Sequence, residues 1–165
     1  MVAKQDDEIE LVFTIEGERE PRSRLVRGSD TASKVIEAVA GEVGRDDIEA
    51  MYAENADKPL ANKTTMREAT KNGFAVFHIG SKHRVKVEVT YNGRVEHEQF
   101  APGFTISRIL DWAFSGKGFG LEGESCDFQL KLGADLLPAD LHIGQIADGR
   151  EPVRLILVFK IKPQG

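Results

Sequence analysis

The stretch Val153-Arg154-Leu155-Ile156-Leu157-Val158-Phe159-Lys160-Ile161 decides how this chain folds. Its residues alternate, which predicts a β-strand with Leu155, Leu157, Phe159 and Ile161 toward a core and Arg154, Ile156, Val158 and Lys160 outward. A strand this apolar is typical of a central position in a sheet. It is therefore expected to close the core of the region that precedes it.

The segment after this strand, Lys162-Pro163-Gln164-Gly165, is predicted to be an extended tail. Pro163 donates no backbone hydrogen bond, so the strand cannot continue through it. At about 3.3 Å per residue, four residues reach roughly 13 Å past the strand. Enzymes that act on a terminal carboxylate need such a shape, because a narrow channel admits glycine and excludes bulkier residues. The alternative is a frayed end without a function.

The first half of the chain is predicted to contain a hairpin, a helix and short strands, in that order. Residues 9–16 alternate as a strand, and residues 22–27 form its more polar partner. Gly28-Ser29-Asp30-Thr31 offers N-caps to a helix that ends at Gly44. Short strands are expected at 48–52 and 73–79, with a stub near 58–60 and one helical turn at 64–69.

The second half repeats this order. Residues 85–89 and 95–100 are predicted strands, and Asn92-Gly93 between them is the strongest short hairpin signal. A helix is expected from Thr105 to about Gly116, followed by strands at 128–132 and 153–161. Equivalent hairpins lie about 75 residues apart, which indicates an internal repeat.

The repeat predicts an α+β protein with two similar domains in tandem. The predicted boundaries are a disordered N-terminus at 1–8, domain 1 at 9–80, domain 2 at 83–161 and the tail at 162–165. The joint Gly80-Ser81-Lys82 is too short to let the domains move far apart. Each domain has a modest core, so contact between them is expected to stabilise both.

The composition narrows the classes of partner. With 41% hydrophobic and 30% charged residues, the 165-residue chain has the balance of a soluble globular protein. Its net charge of -5 argues against nonspecific binding to nucleic acid or anionic membranes. The sequence shows neither a membrane span nor the hydrophobic region of a signal peptide, so a cytoplasmic location is expected.

No group of residues predicts catalysis, a cofactor or a metal site. His78, His83, His97 and His142 are scattered without the spacing of metal ligands, and they are interpreted as core or surface residues. Cys126 has no histidine or helix start placed to lower its pKa, so it is not predicted to be a nucleophile. The chain is therefore not expected to be an enzyme.

Several segments together resemble ubiquitin. They are the helix start Ser29-Asp30-Thr31, its looser counterpart Pro102-Gly103-Phe104-Thr105-Ile106, and the succession Leu130–Leu136, Leu141–Gly144 and Arg154–Lys162. A tandem pair that ends in glycine is similar to the two-domain ubiquitin-like modifiers. These include the interferon-induced modifier of vertebrates and the bacterial Bil-type modifiers of antiphage conjugation operons. The resemblance covers nearly the whole chain, favours the bacterial kind and implies two tandem β-grasp domains.

The resemblance also implies a function. Modifiers of this kind are activated at a C-terminal glycine carboxylate by an ATP-using activating enzyme, passed to a conjugating enzyme, and joined to a lysine of a target protein. A metalloprotease reverses the conjugation in such systems. Gly165 would be the conjugated residue here, although Gln164 stands where the best-known tail has a second glycine. A noncovalent adaptor with two ubiquitin-like domains is the alternative.

Two further groups of residues have open alternatives. Ile156 and Val158 are predicted either to form an apolar patch for partner enzymes or to pack against domain 1. Lys160 and Lys162 match basic positions of the family's tail. They are predicted either to assist recognition by the activating enzyme, together with Gln164, or to be solvated surface residues.

Overall fold

The computed structural model describes residues 7–147 and 152–160. The first half forms one four-stranded sheet in the order β2-β1-β4-β3, in which β1 and β4 are parallel. Its elements are β1 (Glu8–Ile15), β2 (Arg22–Arg27), α1 (Ala32–Val43), β3 (Ala50–Tyr52), α2 (Met66–Ala69) and β4 (Val76–Gly80).

The second half forms a separate five-stranded sheet in the order β6-β5-β9-β7-β8. Strand β9 lies between β5, to which it is parallel, and β7, to which it is antiparallel, as the apolar sequence predicts. The elements are β5 (Val85–Tyr91), β6 (Arg94–Phe100), α3 (Ile106–Phe114), β7 (Phe128–Leu132), β8 (Asp135–Leu136) and β9 (Val153–Phe159), with short 3-10 helices at Ser125–Asp127 and Ile143–Ile146.

Each sheet packs one face against its longest helix, so the chain consists of two tandem β-grasp domains of α+β class. The first core joins α1 to buried residues of β1 and β4, and the second joins α3 to β5, β7 and β9. The hydroxyls of Thr31 and Thr105 accept hydrogen bonds from the third backbone N–H of α1 and α3. Each N-cap of this kind stabilises its helix by about 1 kcal/mol, so threonine is favoured there. This preference is why both helix starts could be predicted from the sequence.

Three details of the predicted elements are wrong. The disordered N-terminus was expected to extend to residue 8, but Glu8 pairs with Arg27, and the carbonyl of Asp7 accepts a hydrogen bond from Gly28 N–H. Strand β4 begins at Val76 rather than residue 73, because a turn closed by Gly73 leaves Phe74 exposed. The stub expected near residues 58–60 is not a strand. Residues 1–6 lie outside the described part.

Two glycines near the end of α1 give a paired test of this helix. Gly41 is exposed, and nothing lies within 4 Å of a Cβ built there, whereas Gly44 has a left-handed φ of 66°. Gly41→Ala is expected to raise the free energy of unfolding by about 0.5–1 kcal/mol, because alanine loses less backbone entropy in a helix. Gly44→Ala should lower it by about 1 kcal/mol, because a Cβ disfavours the left-handed region. Urea denaturation measures both, and equal effects at the two positions would contradict this account.

Candidate functional site: the outer face of domain 2 and the junction between the domains

Strand β9 buries one side and exposes part of the other. Val153, Leu155 and Leu157 are buried, whereas Ile156 is 43% exposed and Val158 is half-buried. The predicted alternation is therefore confirmed up to residue 157. It fails at Phe159, which was expected in the core and is 62% exposed. The reason is its register: Phe159 lies opposite Phe128, the first residue of β7, whose ring lies edge-on to it at 5.1 Å between centroids.

The strand register places Ile156 in a row of five residues that crosses the whole sheet. Residues directly opposite each other in neighbouring strands share one face. Ile156 lies opposite Thr90 of β5 and Lys131 of β7, and these lie opposite two further apolar residues, Val95 and Leu136. We call Val95, Thr90, Ile156, Lys131 and Leu136 the outer row. Val95 and Leu136 are 45% and 53% exposed, so apolar side chains alternate with polar ones along it.

The next row on the same face is charged. Glu88 lies between His97 and Arg154, and its carboxylate contacts the Arg154 Nε at 3.0 Å and the His97 Nδ1 at 3.6 Å. Both partners are exposed, so these pairs contribute little to stability. In a protein–protein interface, apolar residues such as those of the outer row supply buried area, and charged residues beside them help to set the orientation of the partner.

The base of the predicted tail is anchored through its backbone. Lys160 is exposed, and its N–H donates to the Asp127 carbonyl at 2.7 Å. This bond holds the residue that follows β9 against the 3-10 helix Ser125–Asp127. Lys162, Gln164 and Gly165 lie outside the described residues, so their predicted roles stay predictions.

Cys126, close to that anchor, is exposed and faces a carboxylate. Its thiol lies 3.3 Å from Glu124 Oε2, and this hydrogen bond raises the pKa of the thiol above its ordinary value. A raised pKa lowers the thiolate fraction, in agreement with the sequence-based prediction that Cys126 is not a nucleophile.

The outer face of the domain 1 sheet is covered by domain 2. Thr14, His78 and Tyr52 form one row on this face, because Thr14 lies opposite His78 and His78 lies opposite Tyr52. All three are buried. They lie beneath two segments of domain 2, the loop 101–105 and residues 142–145. We call this contact the junction.

A chain of side-chain hydrogen bonds crosses the junction. The Thr14 hydroxyl lies 2.7 Å from His78 Nδ1 and 2.6 Å from His142 Nδ1. The opposite nitrogen of His142, Nε2, contacts the Glu54 carboxylate at 3.1 Å. Both histidines are fully buried, and burial lowers the pKa of each, to about 3 for His78.

Backbone and amide hydrogen bonds surround this chain. Gly17 N–H donates to the Gly144 carbonyl and Asn55 N–H to the Gly103 carbonyl, both at 3.0 Å. The Asn55 side-chain oxygen accepts from the N–H and hydroxyl of Thr105. The Gln145 amide donates to two carbonyls of domain 1. Ala50, Tyr52 and Ala101 form a small apolar cluster beside them. The expected contact between the domains is thus a hydrogen-bonded interface with a small apolar part.

The sequence did not reveal that two of the four histidines meet. His83 and His97 are exposed, as surface residues, whereas the rings of His78 and His142 lie 5.7 Å apart between centroids, nearly perpendicular. They are 64 positions apart in the chain, and no local pattern could pair them. Among the described residues, no group of three or more His, Cys, Asp or Glu side chains could hold a metal ion.

Both domains of this chain have the ubiquitin-like β-grasp fold. Residues 86–160, slightly less than half of the chain, match the family model of BilA ubiquitin-like domain 2, so the second domain is similar to that family. Members of this family and fold are non-enzymatic. The predicted similarity to the vertebrate interferon-induced modifier stays a prediction.

The comparison with solved structures finds a ubiquitin among the similar chains. A ubiquitin of Caldiarchaeum subterraneum aligns over 50% of this chain and 100% of its own, with 10% sequence identity and a TM-score of 0.39. No curated protein sequence matches the chain. The helices of the described residues are all too short or too polar to cross a membrane.

Proposed function

We propose that this protein is a modifier that is activated at the Gly165 carboxylate and conjugated to target proteins, in bacterial antiphage defence. The observation that carries the proposal is the match of residues 86–160 to BilA ubiquitin-like domain 2. The partners are an ATP-using activating enzyme, a conjugating enzyme, a deconjugating metalloprotease and the targets, all in the cytoplasm. Nucleic acid and membranes are not among them, consistent with the net charge of -5.

In the proposed reaction the modifier supplies only its carboxylate. The Gly165 carboxylate attacks the α-phosphate of ATP and releases pyrophosphate, and a cysteine thiolate of the activating enzyme then displaces AMP to form a thioester. A thiolate of the conjugating enzyme displaces the first thiolate in a thioester exchange, and a lysine amine of the target finally displaces that second thiolate and forms an isopeptide bond. Glycine suits the first two steps because it has no Cβ to crowd the adenylate or the thioester.

The geometry of β9 supports the division of roles between the tail and the sheet. The backbone bond between Lys160 and Asp127 holds the end of β9 in place, four residues beyond Ile156 of the outer row. A partner that grips the outer row would hold the tail at a fixed distance from its own active site, which lowers the entropic cost of the reaction. Lys160, Lys162 and Gln164 would lie along the path from one to the other.

The test is reconstitution with the cognate activating enzyme. With ATP, the protein should form an adduct that a thiol reductant removes, and with the conjugating enzyme it should form adducts that resist the reductant. Mass spectrometry should find the Gly165 carboxyl on a lysine amine of the target. If the activating enzyme forms no adenylate, the noncovalent adaptor is the correct function.

A charge placed in the outer row should weaken recognition. Ile156→Asp is expected to reduce charging by the activating enzyme about 30-fold, the effect of losing a contact worth about 2 kcal/mol. The matched control is Leu25→Asp, which changes another exposed apolar residue, 67% exposed, on the sheet of domain 1. Val158→Asp is a less clean test, because the half-buried residue also contributes to the fold. Equal charging of the Ile156 and Leu25 variants, with native circular dichroism, would rule out this patch.

A further inference from the structure

The hydrogen bonds at the junction have one consistent direction. The Glu54 carboxylate accepts from His142 Nε2–H, so the Nδ1 of neutral His142 carries a lone pair and accepts the hydroxyl hydrogen of Thr14. The Thr14 oxygen in turn accepts from His78 Nδ1–H. These proton positions follow from the donors and acceptors available. They leave the Nε2 of His78 as a lone pair.

The Nε2 of His78 has no hydrogen-bond partner among the described residues. It lies between two glycines. A Cβ at Gly80 would be 3.2 Å from this nitrogen, and a Cβ at Gly144 would be 2.6 Å from the adjoining Cε1. An unpaired lone pair in such a site is tolerable, whereas an unpaired N–H is costly because it has lost its hydrogen bonds to water.

A proton added to either histidine leaves one buried donor without an acceptor. If His78 is protonated, Nε2 gains a hydrogen directly. If His142 is protonated, its Nδ1–H donates to the Thr14 oxygen. That oxygen then either also accepts from His78 Nδ1–H, so that the Thr14 O–H loses its acceptor, or its hydroxyl turns to donate to His78 Nδ1, so that His78 carries its hydrogen on Nε2. In each case the closed junction contains a buried N–H or O–H that this set of hydrogen bonds does not pair.

We propose that Thr14, His78, His142 and Glu54 form a proton-sensitive latch. With both rings neutral the latch holds domain 2 on the outer face of domain 1, and protonation opens the junction and uncovers that face. The inference does not depend on conjugation. It adds a pH-dependent opening between the two domains, which exposes Thr14, Ala50, Tyr52 and His78.

Some charged groups near the latch favour protonation of its histidines, and others oppose it. Glu54 and Asp140 favour a positive charge on His142, but burial outweighs them and lowers its pKa. Glu16 approaches His78 around Gly80, yet its carboxylate is bonded to the Ser81 hydroxyl and lies 3.9 Å from Arg45. The positive charge of His142 would further disfavour one on His78, since the two rings face each other.

The sign of the pH dependence follows from these shifts. Each histidine has a lower pKa in the closed junction than the ordinary value of about 6.5 that it regains when the junction opens. The closed form is therefore fully favoured above pH 6.5 and loses stability as the pH falls below it. At pH 5 a histidine in the open form, with a pKa of about 6.5, is protonated about 30 times more often than it is neutral. Protonation of His78 alone therefore shifts the equilibrium about 30-fold toward the open form.

Backbone amides of the full-length protein report the opening directly. The N–H groups of Gly17 and Asn55 donate across the junction, whereas those of Leu60 and Phe119 donate within domain 1 and domain 2. Hydrogen exchange by NMR at pH 7.5 and pH 5, corrected for intrinsic rates, should show about 30-fold lower protection at pH 5 for the first pair, as one histidine predicts. The second pair should be unchanged. Equal protection of all four at both pH values, or a parallel loss at all four, overturns the latch.

A variant and a second measurement separate the histidines from other causes. The double change His78→Asn and His142→Asn retains an amide near each Nδ1 but cannot titrate, so junction protection should no longer depend on pH. His97→Asn, on the exposed strand β6, should keep the parent's response. In the parent, NMR titration should show no ring pKa near 6.5 for His78 or His142 while the junction amides are protected. Ring titration near 6.5 in the protected state, or an unchanged response in the double variant, overturns the proposal.

Discussion

Gly165→Val is expected to abolish the ATP-dependent thioester with the cognate activating enzyme and all lysine adducts. A β-branched side chain crowds the adenylate and the thioester, and it removes backbone conformations that glycine samples freely. The fold should not change, because the residue follows the last strand, which ends at Phe159. Gel assays with and without reductant measure the adducts, and circular dichroism checks the fold.

The control for this prediction is Gly116→Val, which makes the same change at a domain 2 glycine where nothing lies within 4 Å of a Cβ. It retains the terminal glycine, so it should be charged like the parent. If the Gly165→Val variant is charged like the parent, the carboxylate of this residue is not the reactive group, and the adaptor function should replace the modifier function.

Gly144→Val is expected to separate the two domains at neutral pH without unfolding either. A Cβ at this position would lie 2.6 Å from His78 Cε1 and 2.9 Å from Pro102 Cβ, well inside ordinary contact distance. The ring is held by Thr14 and cannot rotate away without breaking the latch. Overpacking of this kind costs about 1–3 kcal/mol, equivalent to roughly 5- to 150-fold in the opening equilibrium.

Hydrogen exchange at Gly17 and Asn55 measures this loss, with Leu60 and Phe119 as references within the domains. Gly116→Val is the matched control, because nothing lies within 4 Å of a Cβ at Gly116 and its φ is not left-handed. Equal junction protection in the two variants would show that the close packing of Gly144 on His78 does not hold the domains together.

The two domains present their sheets in different ways. In domain 1 the row on the outer sheet face, Thr14, His78 and Tyr52, is buried beneath domain 2. In domain 2 the corresponding face remains open, with Val95, Ile156 and Leu136 exposed. The two domains repeat the same fold, but only domain 2 leaves its outer sheet face accessible to a partner. Under the proposed function, recognition by partners falls to domain 2, which also carries the tail.

Most elements and their repeated order follow from short-range patterns in the amino-acid sequence. The Asn92-Gly93 turn, the threonine caps of α1 and α3, and the alternation of Val153–Leu157 all depend on residues within a few positions of one another. Backbone conformational preferences and the two-residue period of a strand operate over that range. Apart from the N-terminal boundary at residue 8, which Glu8 contradicts by pairing with Arg27, the predicted domain boundaries and the role of Gly165 remain predictions.

Only the tertiary structure decided which surfaces are free and which side chains meet. Thr14 and His142 are separated by 128 positions, and their hydrogen bond exists because one domain docks on the other. The outer row needs the register of five strands, and the exposure of Phe159 follows from where β7 begins. Burial and pairing across such distances depend on how whole sheets pack. The alternation of residues along a strand predicts which side chains face outward. It does not predict whether another domain covers them.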